Sequence, residues 1–228
     1  NVIKCCLEKK VKNFVLLSTD KAVYPINVMG LSKSMAEKIV IAKSRTLANS
    51  KLKLTITRYG NVIGSRGSVI PYFKDLINKN KALTITDKRM TRFFMSLEEA
   101  LDLILFAFIK GKSGSIYVKK CSTAKIIDIA IGMKSILKSK LPIKLIGLRH
   151  GEKLHETLIS DNEMVRVKSY KNFYEIPPNT KSLNYESFFT KGKEIPIVNS
   201  YTSNNKNLLK ENEVKEALKK ILKQPLDY

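Results

Sequence analysis

The sequence predicts an α/β protein with a doubly wound parallel sheet, and three features of its first half carry this prediction. Residues 11–18 and 52–58 are two apolar, β-branched segments of strand length. Residues 32–49 lie between them and carry apolar side chains at close to the helical period. A strand, a helix and a second strand at this spacing form a parallel crossover, which is the repeating unit of such a sheet.

The other elements follow the same two periodicities along the chain. An amphipathic helix is predicted at residues 97–109, with Glu98 and Glu99 in its first turn, where the helix dipole favours acidic groups. Beyond residue 160, prolines and asparagines interrupt the pattern until the last helix. The remaining helices are predicted at residues 2–9, 69–78, 126–138 and 211–222, and short strands at residues 83–85, 115–118 and 144–146.

The charge of the chain bears on its partners. The formal net charge is +22, yet only 7 of the 42 basic residues are arginines, and the lysines are scattered along the whole chain. Nucleic-acid readers favour arginine and concentrate their charge on one face, so this distribution argues against a nucleic-acid partner. The excess of positive charge does favour a polyanionic ligand such as a nucleoside diphosphate.

The remaining composition limits the class of protein. No apolar run approaches the roughly 20 residues of a membrane span, and the first residues do not resemble a signal peptide. The cysteines are Cys5, Cys6 and Cys121, which fit neither a disulfide framework nor a zinc site. We therefore expect a cytoplasmic protein with no membrane partner and no bound metal.

The most informative segment ends the first predicted strand with Ser18, Thr19, Asp20 and Lys21. Open α/β folds build their sites at the carboxyl ends of the strands, just before a helix. An adjacent carboxyl and amine can divide the roles of general acid and general base if the lysine is desolvated enough to be neutral part of the time. In isolation an Asp-Lys pair is usually a surface turn, and here the hydroxyls before it and the helical Lys33 after it favour a site.

The sequence from Ser18 to Lys33 resembles the catalytic segment of extended short-chain dehydrogenases. It is most similar to inverting UDP-N-acetylglucosamine 4,6-dehydratase/5-epimerases, which serve capsule and lipopolysaccharide O-antigen synthesis. The wider family carries Tyr-x-x-x-Lys here, and Met29 stands at the tyrosine position while Lys33 is retained. The resemblance runs from residue 1 to about residue 201 and is densest in residues 15–71, 90–95 and 147–156.

The resemblance implies a Rossmann-like fold, NAD or NADP as cofactor, a UDP-sugar substrate and a role for each matching residue. Asp20 would be the acid at C6 of the sugar and Lys21 the base at C5. A methionine cannot accept a proton, so the acceptor of the C4 hydroxyl proton stays open between Ser18, Thr19, Lys33 and water. The implied catalytic residues are Thr19, Asp20, Lys21 and Lys33, the cofactor residues are Ser18, Met29, Lys33 and Tyr59, and the substrate residues are Asn61, Arg66, Ser68, Arg92, Arg149 and Glu152.

The same resemblance implies a division of the chain and further partners. Residues 1–146 would form a partial Rossmann-like domain, with substrate-domain insertions at about residues 63–95, and residues 147–228 the substrate-binding part and tail. The family's Gly-rich cofactor loop has no counterpart before Val11. We therefore expect an N-terminally truncated chain that binds the cofactor weakly alone and acts with a separately encoded N-terminal half or within a longer protein. Full-length members of the family are homo-oligomers.

Three alternatives remain open at this point. A UDP-glucose 4-epimerase oxidises and re-reduces C4 without elimination, so it has no use for the base that Lys21 would supply, and Met29 removes its proton acceptor. A non-catalytic fragment or the subunit of a split enzyme is the second alternative. A basic RNA-binding module is the third and the weakest.

Overall fold

The computed structural model describes residues 1–65, 67–178, 198–205 and 207–222. The chain forms two compact units that interleave in sequence. The first unit contains Asn1–Tyr59, Leu101–Lys120 and Thr157–Tyr201, and the second contains Gly60–Ala100, Cys121–Glu156 and Thr202–Tyr228. The predicted boundary at residue 146 stays a prediction.

Helices and strands alternate through the first half of the chain. The helices are α1 (Val2–Glu8), α2 (Val28–Thr46), α3 (Val69–Asn78), α4 (Leu97–Lys110), α5 (Ile126–Ile136), α6 (Asp161–Met164) and α7 (Glu211–Leu222). The strands are β1 (Asn13–Thr19), β2 (Lys53–Tyr59), β3 (Leu83–Ile85), β4 (Thr91–Phe94), β5 (Ile116–Lys119), β6 (Ser122–Lys125), β7 (Ile143–Leu145), β8 (Thr157–Ile159), β9 (Lys168–Ser169), β10 (Phe173–Ile176) and β11 (Tyr201–Thr202). A single 3₁₀ turn, Asp20–Ala22, follows β1.

The first unit is organised around a sheet with strand order β1-β2-β5-β10-β9. The pairs β1/β2 and β2/β5 are parallel, which confirms the predicted parallel sheet, while β10 and β9 add to it antiparallel. Five consecutive residues of β2, from Leu54 to Arg58, are buried, as expected for an inner strand covered on both faces. Leu103 and Ala107 of α4 pack with Tyr117 of β5 to form its apolar core.

The second unit buries a larger apolar core between α3, α5, α7 and short strand pairs. Strands β4 and β6 are antiparallel, and β3 and β7 are parallel. Helices α5 and α7 approach closely at Gly132, where a Cβ atom would lie 2.8 Å from Leu218 Cδ1. Among the described residues, no helix is both long and apolar enough to cross a membrane.

The predicted elements agree with the structure where their periodicity is strong. The bounds of α3, β3 and α7 are as predicted. Helix α2 begins at Val28 rather than residue 32, because the side chain of Asn27 caps it by accepting a hydrogen bond from the Gly30 N–H at 2.8 Å. The strands β4, β6, β8, β9, β10 and β11 and the helix α6 were not predicted.

Candidate active site

The Asp-Lys pair follows the carboxyl end of β1 directly. Asp20 is completely buried, and its Oδ1 accepts hydrogen bonds from Thr19 Oγ1 at 2.8 Å and from Lys21 Nζ at 3.0 Å. The Lys21 side chain is 30% exposed, so its amine faces both the carboxylate and solvent. The structure therefore brings the two groups together as an ion pair with one buried and one accessible member.

Helix α2 holds this pair in place through a close backbone contact. Gly30 lies in the first turn of α2, and a Cβ atom built on it would be 2.3 Å from the carbonyl oxygen of Lys21. No side chain fits at that distance, so the glycine lets the helix pack directly against the backbone of the 3₁₀ turn. The close contact therefore explains why a glycine follows Met29 in the sequence.

A buried charged network lies next to the pair in the first unit. Ser18 donates its hydroxyl to Glu37 of α2, and Glu37 accepts two hydrogen bonds from Arg58 of β2, at 3.0 and 2.6 Å. Arg58 also donates two hydrogen bonds to Glu163 of α6 and one to the Leu158 carbonyl oxygen. All five N–H groups of a guanidinium can donate, and each hydrogen-bonding nitrogen of Arg58 has an acceptor.

The electrostatics of the network favour its charged form. Burial disfavours the charged form of Arg58 and would lower its pKa. The attraction and hydrogen bonds of the Glu37 and Glu163 carboxylates outweigh this effect and raise the pKa of the guanidinium. Burial likewise works against the charge of Glu163, yet the attraction of Arg58 lowers the pKa of that carboxyl below its usual value. Arg58, only 2% exposed, and Glu163 therefore both favour their charged forms in the folded protein.

The residues assigned to the cofactor lie at the ends of β1 and β2 and on α2. Lys33 donates from Nζ to the Leu17 carbonyl oxygen at 3.1 Å, and Met29 is 47% exposed on the same helix. Tyr59 ends β2, and burial raises the pKa of its phenol. Ser18, in contrast, is buried beneath the segment and bonded to Glu37.

The predicted substrate residues gather in the second unit around one cavity of about 610 Å³. Asn61, Ser68, Arg92, Arg149 and Glu152 all line it. The sequence separates them by up to 91 positions, so their convergence is a product of the fold. Arg66, the sixth predicted residue, lies outside the described residues.

Apolar side chains form much of the lining of the cavity. They are Val62, Ile63, Val69, Ile70, Pro71, Ile85, Met90, Phe93, Phe94, Ile126, Ile129 and Ile146. Ser68 stands at the start of α3, where its buried Oγ has no hydrogen-bond partner among the described residues. A helix start with an unused hydroxyl is a favourable place for an anion.

Arg92 is fixed by the second unit itself. Its guanidinium donates to the carbonyl oxygens of Thr91, Lys153 and Leu154 at 2.7–3.2 Å. Glu152 lies 3.8 Å from Arg92 and also accepts a hydrogen bond from the Arg149 N–H at 3.4 Å. The loop that carries Arg149 and Glu152 is thus tied to β4 beside the cavity.

Comparison with known proteins adds to this geometry. A family model described as "Polysaccharide biosynthesis protein" matches residues 1–178, and one described as "Polysaccharide biosynthesis protein C-terminal" matches residues 179–223. The chain belongs to the polysaccharide biosynthesis protein family. This confirms the resemblance predicted from the sequence.

Members of this family with curated names include two similar Rickettsia proteins. A protein of Rickettsia bellii is 48% identical and one of Rickettsia rickettsii 46% identical over 219 residues, and both are named UDP-glucose 4-epimerase. The match covers 96% of this chain but 64% of each relative. The chain therefore spans less than two thirds of the length of these relatives.

Solved structures support the fold of this polysaccharide biosynthesis protein. Pen from Bacillus thuringiensis is 31% identical with a TM-score of 0.83, and the match covers 99% of this chain and 67% of that one. UDP-glucuronic acid 4-epimerase from Bacillus cereus, solved with UDP-glucuronic acid and NAD, is 21% identical with a TM-score of 0.58, covering 67% of this chain and 54% of that one. The second match shows the fold alone, and the α/β fold class is confirmed.

Sequence reasoning missed the residues that support the site. Glu37, Arg58 and Glu163 were not singled out, although several hydrogen bonds join them in the first unit. A signal was available, since Arg58 interrupts an otherwise uncharged stretch of buried strand and a buried charge requires a partner. The identity of that partner depends on tertiary contacts that no local pattern encodes.

Proposed function

We propose that this chain carries the catalytic and sugar-nucleotide-binding parts of a UDP-N-acetylglucosamine 4,6-dehydratase with 5-epimerase activity. The observation that carries the proposal is the buried Asp20 carboxylate paired at 3.0 Å with the half-accessible amine of Lys21. Elimination of water from a 4-ketohexose requires a base that removes the proton from C5 and an acid that donates a proton to the hydroxyl leaving C6. This pair provides both within one short turn.

Each member of the pair has a role that its environment supports. The ketone at C4 makes the C5 proton acidic, and Lys21, which is reachable from solvent, removes it. Asp20, which lies next to Lys21, acts as the acid that protonates the departing C6 hydroxyl. A solvent proton delivered to the opposite face of C5 gives the epimerised product.

The cavity of the second unit is proposed to hold the uridine diphosphate. Its apolar lining suits a flat base and the carbon face of a ribose. Arg92 and Arg149 suit the diphosphate, because guanidinium groups pair phosphate oxygens through two parallel hydrogen bonds. Asn61 and Ser68 add neutral polar contacts, and Glu152 can accept hydrogen bonds from ribose hydroxyls.

The residues of the first unit fit the nicotinamide-ribose end of a dinucleotide cofactor. A lysine ammonium has three donors, and Lys33 uses one of them on the Leu17 carbonyl oxygen. The other two remain for ribose hydroxyls. When bound, the cofactor supplies the hydride acceptor for oxidation at C4, as NAD or NADP does in short-chain dehydrogenases.

A UDP-glucose 4-epimerase is the second candidate, and the names of the Rickettsia relatives favour it. Both activities oxidise C4, so the cavity and Lys33 serve either one. They differ at C5 and C6, where only the dehydratase needs a base and an acid. The two functions therefore make different demands on Asp20 and Lys21.

Product analysis separates the two candidates. The full-length gene product is incubated with UDP-N-acetylglucosamine and with UDP-glucose, with NAD or NADP present. We expect a 4-keto-6-deoxy sugar, detected by its ultraviolet absorbance in alkali, and C5 deuterium incorporation from heavy water. Lys21→Met should abolish both signals while Lys38→Met, an exposed lysine on α2, leaves them unchanged. UDP-galactose from UDP-glucose without a keto sugar would assign the epimerase, and no turnover of either sugar would assign a non-catalytic role.

Binding of UDP to the chain tests the cavity independently of turnover. Ser68→Ala removes a hydroxyl with no partner among the described residues, so we expect no loss of folding stability. The same change should weaken UDP binding by about two- to tenfold, the value of one hydrogen bond. Ser65→Ala is the matched control, because its exposed hydroxyl bonds the Val62 carbonyl oxygen and does not line the cavity. Equal affinities of the two variants would remove Ser68 from the site.

A further inference from the structure

The oxidation of C4 leaves one proton without an assigned acceptor. This question rests on the proposed function only as far as C4 oxidation, which the dehydratase and the epimerase share. Met29 occupies the position from which a tyrosine would take the proton, and a thioether is at most a weak acceptor. Another group of the first unit must take this role.

Most neighbouring groups are committed elsewhere. Ser18 is 3% exposed and donates its hydroxyl to Glu37, so it cannot reach a sugar hydroxyl. Lys33 has an ammonium occupied in part by the Leu17 carbonyl oxygen and has no lone pair when charged. Tyr24 donates its phenol to Asp161, and burial raises the pKa of Tyr59, which disfavours its phenolate.

Thr19 has the hydrogen bonding that a proton relay needs. A threonine hydroxyl has one proton to donate and two lone pairs to accept with. Its proton goes to Asp20 Oδ1 at 2.8 Å, and one lone pair faces the Lys21 N–H at 3.4 Å. One lone pair therefore remains for the hydroxyl of a substrate.

Asp20 can receive the proton that Thr19 passes on. The carboxylate is completely buried, and its Oδ2 accepts no hydrogen bond from any described residue. The half-buried Thr19 and Lys21 are the groups bonded to its Oδ1, so they link this carboxylate to the surroundings. A proton that reaches the Thr19 oxygen has the Asp20 carboxylate directly next to it.

We infer that Thr19 and Asp20 form a proton relay that replaces the missing tyrosine. The C4 O–H bond breaks as its proton moves to Thr19 Oγ1, and the Thr19 O–H bond breaks as its own proton moves to Asp20 Oδ1. At the same time C4 loses a hydride and is oxidised to the ketone, and a nicotinamide dinucleotide is the oxidant that accepts the hydride. Asp20 begins this step ionised and ends it protonated.

The relay also closes the proton balance of the dehydration. Protonated Asp20 gives its proton to the C6 oxygen and the C6–O bond breaks. Lys21 first releases one ammonium proton to solvent, to which its side chain is 30% exposed, and then takes the C5 proton as the C5–C6 double bond forms. The proton from the C4 hydroxyl therefore leaves in the water. Return of the hydride to C6 and delivery of a solvent proton to C5 complete the product. Asp20 is then ionised and Lys21 charged again, so both side chains are in their starting states.

Rapid mixing of the cofactor-loaded, full-length protein with the UDP-sugar tests the relay through the nicotinamide absorbance, which reports C4 oxidation. Thr19→Val and Thr19→Asn should slow this step by about 10²- to 10⁴-fold, and Thr19→Ser should stay within about tenfold of the wild type. Asparagine can still cap the 3₁₀ turn and donate to Asp20, but its amide cannot relay a proton. Its failure would therefore separate the relay from a structural role. The control is Thr46→Val, an exposed threonine at the end of α2.

Infrared spectroscopy gives a second readout. In the protein without cofactor, the carboxylate stretch of Asp20 is assigned as the band that disappears in Asp20→Asn. This band should shift in Thr19→Val and should not shift in Thr46→Val. On mixing with substrate, the C=O stretch of a protonated carboxylic acid should appear with C4 oxidation in the wild type only. Oxidation of C4 within threefold of wild type in Thr19→Asn, or oxidation without the acid band, would overturn the relay. Absence of a 4-keto-6-deoxy product with normal C4 oxidation would instead overturn the dehydratase and leave the relay standing.

Discussion

Substituting Glu37 by glutamine tests the reasoning on the buried network most directly. Glu37 is 3% exposed and accepts hydrogen bonds from Ser18 and from two nitrogens of Arg58. The amide of glutamine would turn an N–H₂ group towards Arg58 and would no longer balance its charge. Breaking a buried ion pair costs about 3–5 kcal/mol, and we take about 3 kcal/mol because Glu163 still neutralises Arg58.

Urea unfolding and thermal unfolding, both monitored by circular dichroism, measure the decrease in the free energy of unfolding and the fall in Tm. A decrease of about 3 kcal/mol corresponds to a fall of about 6–12 °C in Tm for a chain of this size. Arg58→Met should cost more, since it strands two carboxylates. Glu8→Gln is the control, because its pair with Lys4 spans 3.9 Å at the surface and should change stability by less than about 0.5 kcal/mol. A Glu37→Gln protein within about 1 kcal/mol of this control would refute the account of the network.

The same network predicts how stability depends on pH. Burial alone would raise the pKa of Glu163, but the attraction of Arg58 outweighs it and lowers the pKa below the ordinary 4.5. A carboxyl with a depressed folded-state pKa contributes stability that is present above pH 4.5 and lost as pH falls through the folded value. Glu163→Gln should therefore be less stable than wild type near neutral pH and should lose less stability between about pH 5 and pH 3. Parallel losses in the two proteins would contradict this assignment.

Two further predictions concern a pair of glycines and a surface carboxyl. Gly30→Ala places a Cβ atom 2.3 Å from a backbone carbonyl oxygen and should lower the free energy of unfolding by about 1–3 kcal/mol. Gly132→Ala places its Cβ atom 2.8 Å from a leucine methyl and should lower it by less. Equal urea midpoints of the two variants would show that the backbone contact is not rigid. The hydrogen bond from Arg89 lowers the pKa of Asp87 to about 2. NMR titration should find this value and show it rising towards 3.8 in Arg89→Gln, and an unchanged titration in the variant would remove Arg89 as the cause.

The fold was predictable where local pattern and structure coincide. Helices α3 and α7 have their predicted bounds because their apolar residues repeat at the helical period and pack on one core. Strands β4, β6 and β10 are four residues long and depend on partners elsewhere in the chain. Strand β10, for example, pairs antiparallel with β5, more than fifty residues earlier. Pairing at that range leaves no periodicity in a short segment, so the sequence did not predict it.

The sequence selected residues that the fold brings together, but it did not select the residues that support them. Arg92, Arg149 and Glu152 were selected by resemblance, and the fold brings them to one cavity. Glu37 follows Lys33 by one helical turn and resembles any surface acid of an amphipathic helix. Only the three-dimensional structure shows that Arg58 lies beneath it and turns it into a buried partner.

The buried network also has a consequence for catalysis that stability alone would not reveal. The proposed relay residues Thr19 and Asp20 lie in sequence between two residues that are held in place. The Ser18 hydroxyl donates a hydrogen bond to Glu37, and the carbonyl oxygen of Lys21 packs against Gly30. A shift of about 1 Å at a reacting group can cost about 10²-fold in rate. Glu37→Gln at a temperature where it stays folded should therefore lower kcat at nearly unchanged KM, because the cavity proposed for UDP belongs to the other unit. A loss confined to KM would instead show that the network does not position the relay.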